Sequence, residues 1–296
     1  MHKAGFVNIL GRPNVGKSTL LNALLGERLV IASSKPQTTR HRIFGIHNEE
    51  EMQIVFSDTP GIISEPKYNM QAIMNRWAYS VFDDSDVLLL MVDIYEPVSL
   101  DEHLGLRLSN LSVPVLLLIN KIDQSTEENV AELVSQWKEL FNWSVIHPVS
   151  ALKGAGIEPL MDMIKGHIPE SPPYFPKDDM SDRPVRFFIS EIIREKILEN
   201  YKQEVPYSCE VQVEHYQEEV KDDAPFTRIE AIIYVNRQSQ KAIVIGKGGV
   251  AIKRLGIAAR ESIEEFIGHQ IFLRLYVKVR EGWRDDETKL RRFGYQ

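Results

Sequence analysis

Cysteine is almost missing from this sequence: Cys209 stands alone among 296 residues. No intrachain disulfide and no multi-cysteine metal cage can form, which fits a reducing compartment. Long hydrophobic runs are missing as well. The longest, Val87–Val92 and Val113–Ile119, fall far short of the ~20 apolar residues that a membrane-spanning helix needs. Nor is there an excess of positive charge. Lys and Arg number 35 against 42 Asp and Glu, a formal net charge of −7, which excludes a wholly basic nucleic-acid coat. Internal repeats and low-complexity tracts are absent. What remains is an ordinary folding composition, 43% hydrophobic and 26% charged, and it argues against global disorder. The length exceeds one ordinary core and predicts roughly two domains. The opening MHKAGFVNIL runs into a glycine-rich motif and is expected to be a first strand, not a cleaved signal peptide.

Charge divides unevenly along the chain. Residues 1–180 hold 15 basic and 23 acidic side chains, whereas residues 181–296 hold 20 and 19. Within the second half, Arg237–Arg254 carries five basic residues and no acidic one, a local patch suited to phosphate contact. The segment between the halves, HIPESPPYFPKDDMSDRPV, contains Pro169, Pro172, Pro173, Pro176 and Pro184. Such a run cannot hold a helix or a central strand and reads as a linker. The expected organisation is a first domain over residues 1–168, a linker over 169–183, a second domain over 184–280 and a tail over 281–296.

Strand and helix patterns alternate through the first half. GFVNIL (5–10) reads as a strand, followed by a glycine turn and a helix from Lys17 to about Leu25. Residues 43–59 read as two strands around a polar turn. VLLLMVD (87–93) and VPVLLLIN (113–120) are continuous apolar runs, as expected of parallel strands buried on both faces. Helical patterns cover 70–82, 100–111, 127–140 and 157–168, with a last strand at 145–150. The pattern predicts a mostly parallel, doubly wound α/β sheet with one antiparallel edge strand.

Three motifs sit where such a sheet places its chemistry. Gly11-Arg-Pro-Asn-Val-Gly16-Lys17-Ser18 fits the phosphate-binding G-x-x-x-x-G-K-[ST] pattern between a strand and a helix. Its glycines let backbone N–H groups curl around phosphate, and the helix start adds a positive dipole. Lys17 is expected to reach the β- and γ-phosphates and Ser18 to ligate Mg²⁺. Asp58-Thr-Pro-Gly61 follows the strand IVFS. There Asp58 can hold Mg²⁺ through water and Gly61 can offer its N–H to a γ-phosphate. Asn120-Lys121-Ile-Asp123 follows the next apolar strand. A carboxylate at Asp123 accepts the N1–H and 2-amino protons of guanine, a donor pair adenine lacks. Lys121 lays its aliphatic stem over the base, and Asn120 ties this loop to the phosphate loop. Ser150-Ala151-Leu152 then places a backbone N–H for guanine O6.

These motifs, in this order, resemble the translation-factor class of GTPases over residues 1–168, with GTP and GDP as ligands and Mg²⁺ as cofactor. In that class a Thr before the DTPG strand completes the Mg²⁺ shell. Thr39 takes that role by its place in the family's TTR pattern, and Thr38 stays open. Lys17, Thr39 and Gly61 are the expected catalytic positions. Many relatives carry Gln directly after Gly61 to orient the attacking water; here the position is Ile62, followed by Ile63, and an apolar side chain cannot polarise water. Arg12, Arg40 and Arg42 are open as arginine fingers but are expected to be solvated or RNA-facing. Asn14 offers a further route, since potassium-activated relatives carry the same phosphate-loop Asn; a K⁺ site near Asn14 and a purely structural Asn14 both stay open.

The second half reads as helix (184–201), strand (208–216), strand (226–235), two helical patterns and a last strand (271–280). Alternation puts Cys209, Val211 and Val213 on one face and so places Cys209 in a core, not as a nucleophile. Between the helical patterns lies Gly246-Lys247-Gly248-Gly249. This fits the GxxG loop of a KH domain, whose glycines let the backbone approach nucleic acid while Lys247 faces phosphate. Lys253 follows as a further RNA-binding candidate. The order helix–strand–strand–helix–GxxG–helix–strand resembles an α+β type II KH domain. The tail EGWRDDETKLRRFGYQ is expected to be a surface helix, its Arg291 and Arg292 diluted by Asp285, Asp286 and Glu287.

A P-loop GTPase domain followed by a type II KH domain resembles the bacterial Era family over nearly the whole chain. The motifs that carry it are GRPNVGKSTLLN, QTTRHR, DTPG, NKID, SALKG and IGKGG. The resemblance implies a GTP-hydrolysing switch in small ribosomal subunit (30S) assembly. It also implies KH-mediated binding of single-stranded sequence near the 3′ end of 16S rRNA, a cytoplasmic monomer, and peripheral association with the inner membrane. Two other readings remain open from the residues: a GTPase acting on another RNA, and a constitutive RNA-binding module with a structural nucleotide.

Overall fold

The computed structural model describes residues 1–33 and 35–295. The chain divides into two compact units, one of residues 1–65 and 74–182, the other of 66–73 and 183–296.

The first unit is built on a six-stranded sheet. Its strands are β1 (Lys3–Gly11), β2 (Ile43–Asn48), β3 (Met52–Asp58), β4 (Val87–Asp93), β5 (Val115–Asn120) and β6 (Val145–Pro148). Their spatial order is β2-β3-β1-β4-β5-β6. All neighbours run parallel except β2 and β3, so the antiparallel edge strand is β2. The apolar runs explain this order. Every residue of β4 and β5 is buried, which is possible only between two covered faces. Helices α1 (Lys17–Leu25), α3 (Val81–Asp84), α4 (Glu102–Ser109), α5 (Glu127–Leu140) and α6 (Ile157–His167) supply that cover, with residues 74–79 of α2 (Asn69–Tyr79). Leu10, Leu88, Leu90, Leu117, Ile119 and Trp137 form one packed cluster on one face. Helix starts follow side-chain chemistry: Asp101 accepts from Leu104 N at 2.9 Å and Thr126 from Asn129 N at 3.3 Å. Strand order reverses at β1, and the carboxyl ends of β1, β3, β4 and β5 open on one edge, where such sheets bind ligands.

The proline-rich stretch forms neither helix nor sheet strand, as its composition dictates, yet it is fastened along β2 and β3. Ile46 N donates to Met180 O at 2.9 Å. The Gln53 side chain accepts from Tyr174 N at 2.7 Å and Phe175 N at 3.0 Å and donates to Phe175 O at 2.9 Å. An extended strap of this kind covers an edge strand that would otherwise expose its backbone donors and acceptors.

The second unit contains α7 (Val185–Asn200), β7 (Glu210–Lys221), β8 (Ala224–Val235), α8 (Gln238–Ile245), α9 (Val250–Ile267), β9 (Gln270–Val279) and α10 (Glu287–Arg292). Its sheet order is β7-β8-β9, antiparallel then parallel. Ile189, Ile193 and Ile197 of α7 and Leu255 and Ile263 of α9 close over Ile229, Ile233, Ile271 and Val277 of the sheet. Cys209 lies fully buried in this core, its Sγ donating to Val205 O.

The tail departs from the expected surface helix. Only six residues are helical, and Trp283, Leu290 and Tyr295 are fully buried. Trp283 Nε1 donates to Ser208 O at 3.1 Å, and Tyr295 Oη donates to Glu210 Oε2 at 2.8 Å. The charges that suggested solvent sit on one side of the segment; its aromatics turn inward and become core. No helix among the described residues is long and apolar enough to cross a membrane.

Candidate functional site

A cleft of about 690 Å³ opens at the carboxyl edge of the six-stranded sheet. That volume lies within the range of small-molecule sites. Its walls include Asn14, Gly16, Lys17, Ser18, Gln37, Thr39, Gly61, Asn120, Lys121 and Asp123. The structure therefore gathers four separate motifs around one space.

Local chain geometry forms the phosphate loop. Gly16 adopts φ 107°, a value that side-chain-bearing residues avoid. A Cβ there would fall 2.3 Å from Asn120 Nδ2. The close approach has a purpose: Asn120 Nδ2 donates to Val15 O at 2.7 Å, and Asn120 Oδ1 accepts from Ala151 N at 3.0 Å. One buried amide thus clamps the phosphate loop to the loop containing Ser150 and Ala151. Lys17 lies buried at the start of α1, with Nζ donating to Gly11 O at 3.0 Å and Arg12 O at 2.8 Å. Burial pulls its ammonium down to about 8. A bound polyphosphate would supply the negative charge that restores it.

Ser18, Thr39 and Asp58 converge at the loop's far side. Ser18 Oγ donates to Asp58 Oδ2 at 2.7 Å and Thr39 Oγ1 donates to the same oxygen at 3.0 Å. The two hydroxyls are 2.8 Å apart. Asp58 is fully buried, and its Oδ1 has no hydrogen-bond partner among the described residues. Burial raises its pKa, partly offset by Lys17 and the two hydroxyls. Two hydroxyl oxygens and a buried carboxylate with a bare oxygen form a hard, all-oxygen donor set, the type that suits Mg²⁺. Thr38 is turned elsewhere, its Oγ1 donating to Lys35 O at 2.6 Å.

At the other end, Asp123 sits in a single 3₁₀ turn, and Ser150 Oγ donates to its Oδ1 at 2.6 Å. One carboxylate oxygen is thus anchored and the group is fixed beside the cleft. Lys121 takes φ 67° and pairs its ammonium with Asp93, which leaves its stem along the cleft wall. Asp93 was not among the sequence candidates. Its signal was available: it ends β4 as Asp58 ends β3 and Asn120 ends β5. Glu96 carried no such signal. It sits in the turn after β4, where burial pushes its carboxyl up to about 7 against the opposing pull of Arg12, whose Nε lies 3.9 Å away.

The loop after Gly61 explains the missing glutamine. A Cβ at Gly61 would fall 2.5 Å from Pro13 N, so this residue approaches the phosphate loop as only glycine can. Ile62 then packs against the apolar cluster of the sheet, not into the cleft. The backbone of Ile63 is held by Asn75, with Ile63 N donating to Asn75 Oδ1 at 2.9 Å. Two of the three arginines differ from expectation. Arg40 is fully buried, and Arg42 donates to Ser57, Asn8, Ser80 and Asp84 within the first unit. Arg40 is thus withdrawn from solvent, and Arg42 spends its donors on internal acceptors.

In the second unit, Gly246–Gly249 joins α8 to α9. Gly246, Gly248 and Gly249 all have positive φ. A Cβ at Gly246 would meet Ala251 Cβ at 2.6 Å, whereas Cβ atoms at Gly248 and Gly249 would meet nothing. The first glycine serves packing; the other two leave backbone open to a ligand. Lys247 and Lys253 are exposed beside them.

Comparison with known proteins bears on both units. Residues 6–121 match the family model described as "50S ribosome-binding GTPase", and residues 204–284 match that of the KH domain. The chain is 46% identical to GTPase Era of Geotalea uraniireducens, over 99% of this chain and 98% of that protein. A solved structure of Era in complex with MgGDPNP and nucleotides 1506–1542 of 16S ribosomal RNA superposes with a TM-score of 0.92. It is 39% identical and covers 100% of this chain and 99% of its own. A variant of Aquifex aeolicus Era bound to GDP·AlF4⁻ gives a TM-score of 0.91 at 38% identity, covering 99% of both chains.

The contrast between the adjacent threonines is testable. Thr39→Ala is expected to lower Mg²⁺-dependent GTP hydrolysis by roughly 10²-fold, the scale on which losing one transition-state ligand acts. Thr38→Ala should change it by less than about fivefold, since loop hydrogen bonds of this kind contribute only ~1 kcal/mol. Single-turnover rates at saturating nucleotide measure both, and equal losses would contradict the geometry.

Proposed function

We propose, for a chain that belongs to the Era family of GTPases, that the cleft binds GTP and GDP with Mg²⁺. We further propose that the KH domain binds single-stranded RNA near the 3′ end of 16S rRNA in small-subunit assembly. The observation that carries the first part is the convergence of Ser18 and Thr39, both lining the cleft that Asp123 lines, on the buried carboxylate of Asp58. The Era complex with MgGDPNP and a 16S rRNA segment supports the second.

Each residue then has a task. Backbone N–H groups between Gly11 and Ser18 cradle the phosphates, and Lys17 neutralises charge that grows on the β- and γ-oxygens. Ser18 and Thr39 would hold Mg²⁺ directly and Asp58 through water, and the ion would supply positive charge to neutralise the phosphates. Gly61 offers its N–H to the γ-phosphate. Asn120, Ser150 and Ala151 shape the base pocket, and Lys121 covers the base. Asp123 selects guanine because its carboxylate accepts from N1–H and the 2-amino group, donors that adenine cannot offer. With Ile62 packed into the apolar cluster, no side chain follows Gly61 to orient water. That task falls to backbone groups; a monovalent cation held beside Asn14, which lines the cleft at φ 67°, would add positive charge next to the phosphates. Gly246, Lys247, Gly248 and Gly249 form the RNA-binding loop, with Lys253 of α9 beside it. The same family reading gives a cytoplasmic monomer that associates peripherally with the inner membrane.

Asp123→Asn should shift preference from GTP to XTP, because an amide donates to a 2-oxo group and a carboxylate cannot. Competition binding reads it, and an unchanged preference for GTP would refute the base assignment. If Asn14 helps hold K⁺, hydrolysis at saturating nucleotide should be faster in KCl than in NaCl; equal rates would leave backbone positioning alone. Replacing Lys247 and Gly248 together by Asp reverses a charge and puts a Cβ where backbone must approach phosphate. A titration with short single-stranded RNA should show binding lost while intrinsic GTP hydrolysis stays the same.

A further inference from the structure

The sheet of the second unit has two faces, and only one is explained by the GxxG loop. Helices α7 and α9 cover one face. On the other, the register sets Glu219 beside Phe226, Arg228 beside Phe272, Glu230 beside Arg274 and Tyr234 beside Lys278. The tail closes part of this outer face. Phe293 packs tilted against Tyr234 at 5.1 Å, Gln212 Nε2 donates to Arg292 O at 2.8 Å, and Tyr234 is buried. Beyond the tail the face is open, and Phe272 and Tyr276 are each 40% exposed.

What stands on the open part is a row in which cations and aromatic rings alternate. Lys221 Nζ lies 5.3 Å from the Phe226 ring centroid, and the Arg228 guanidinium lies 5.8 Å from Phe226 and 5.7 Å from Phe272. The Arg274 guanidinium follows, 5.9 Å from Phe272, and its Nη1 donates to Tyr276 Oη at 3.4 Å. Two carboxylates share the row, Glu219 with Arg228 at 2.9 Å and Glu230 with Arg274 at 3.7 Å. Taken on to Lys278 and Tyr234, where Arg280 lies over the ring at 5.3 Å and Glu214 accepts from the Tyr234 hydroxyl, the row sets five cations against three acids. Those ion pairs are solvent-exposed, a class that gains little and exchanges readily. β9 is also an edge strand, so the row is approachable from the side as well as from above.

We propose that this outer face is a second binding surface for single-stranded RNA, distinct from the GxxG loop. Its rings stack bases and its guanidinium groups exchange their carboxylates for phosphate. A net-positive row of exposed rings and planar cations meets both needs of an unpaired polyanion: π-faces for its bases and charge for its backbone. Phe272 and Tyr276, four residues apart on β9, stand roughly 13 Å apart at ~3.3 Å per residue, a span that admits several successive nucleotides. The surface would engage RNA on either side of the segment held by the loop, and it lengthens the strand that the chain recognises.

The test uses the full chain and two RNA probes. One probe is about four nucleotides long, matching a GxxG clamp; the other is about 16 nucleotides, with the same segment at its centre. Phe272→Ala combined with Tyr276→Ala should weaken the long probe by about tenfold or more, as loss of stacked bases does, and leave the short probe unchanged. Arg274→Glu, at a position where side-chain loss empties no core, should act in the same direction. Photocrosslinks from the long probe should map to β9 as well as to the loop. Unchanged long-probe affinity in both variants, or crosslinks confined to the loop, overturns the proposal and leaves the face to a protein partner. The Lys247 and Gly248 replacements separate this from the loop assignment, because they alone should abolish short-probe binding.

Discussion

A single buried carboxylate organises the nucleotide half of this protein. Asp58 ends β3 inside the sheet, fully removed from water, and receives the hydroxyls of Ser18 and Thr39 on one oxygen while the other stays bare. Burying an ionised carboxyl is costly unless charge or hydrogen bonds compensate, and here compensation is partial, since its pKa is raised. The rest of the site makes sense around that deficit. Lys17 supplies one positive charge, itself weakened by burial, and a divalent ion would supply the remainder. Because Ser18 belongs to the phosphate-loop helix and Thr39 to the preceding loop of β2, whatever binds at Asp58 sets the position of both. That is the physical content of a nucleotide switch: segments held together through one shared charge and released when it changes.

Asn120 plays the matching role at the other end. Its amide joins Val15 O to Ala151 N, so the phosphate loop and the base loop form one rigid wall. Preorganisation of this kind lowers the cost of binding, because loops that would otherwise have to order themselves are already in place. The second unit has its own core and its own glycine-rich loop, and the two chemistries, purine triphosphate and RNA, are built from residues far apart in sequence.

Much of this was legible in the sequence. GRPNVGKS, DTPG and NKID each follow an apolar run, and that placement, more than the motif letters, located the carboxyl edge of a sheet. Motif position favours Thr39 while leaving Thr38 open, and the structure sets Thr39 beside Ser18 and Asp58. What stayed hidden depended on tertiary contact. Trp283, Leu290, Phe293 and Tyr295 lie among charges with no strict period, so the tail read as surface although its aromatics complete a core. Arg40 and Arg42 read as solvated because long cations usually are; only the fold reveals the internal acceptors of Arg42. Ile62 was seen as a missing glutamine, but its destination in the apolar cluster of β4 and β5 could not be read from one position. Glu96 lies in a turn with no motif, and its raised pKa comes from burial that only the folded sheet creates.

The central claim, that Asp58 is a strained charge kept for a metal, is tested most directly by the thermal stability of Asp58→Asn with and without ligand. Asparagine keeps an acceptor for Ser18 and Thr39 and removes the buried charge. The account predicts a higher melting temperature than the parent in the absence of nucleotide and metal, together with loss of the stabilisation that Mg²⁺ adds to bound GTP in the parent. A lower melting temperature without ligand, or an undiminished Mg²⁺-dependent gain, would contradict it.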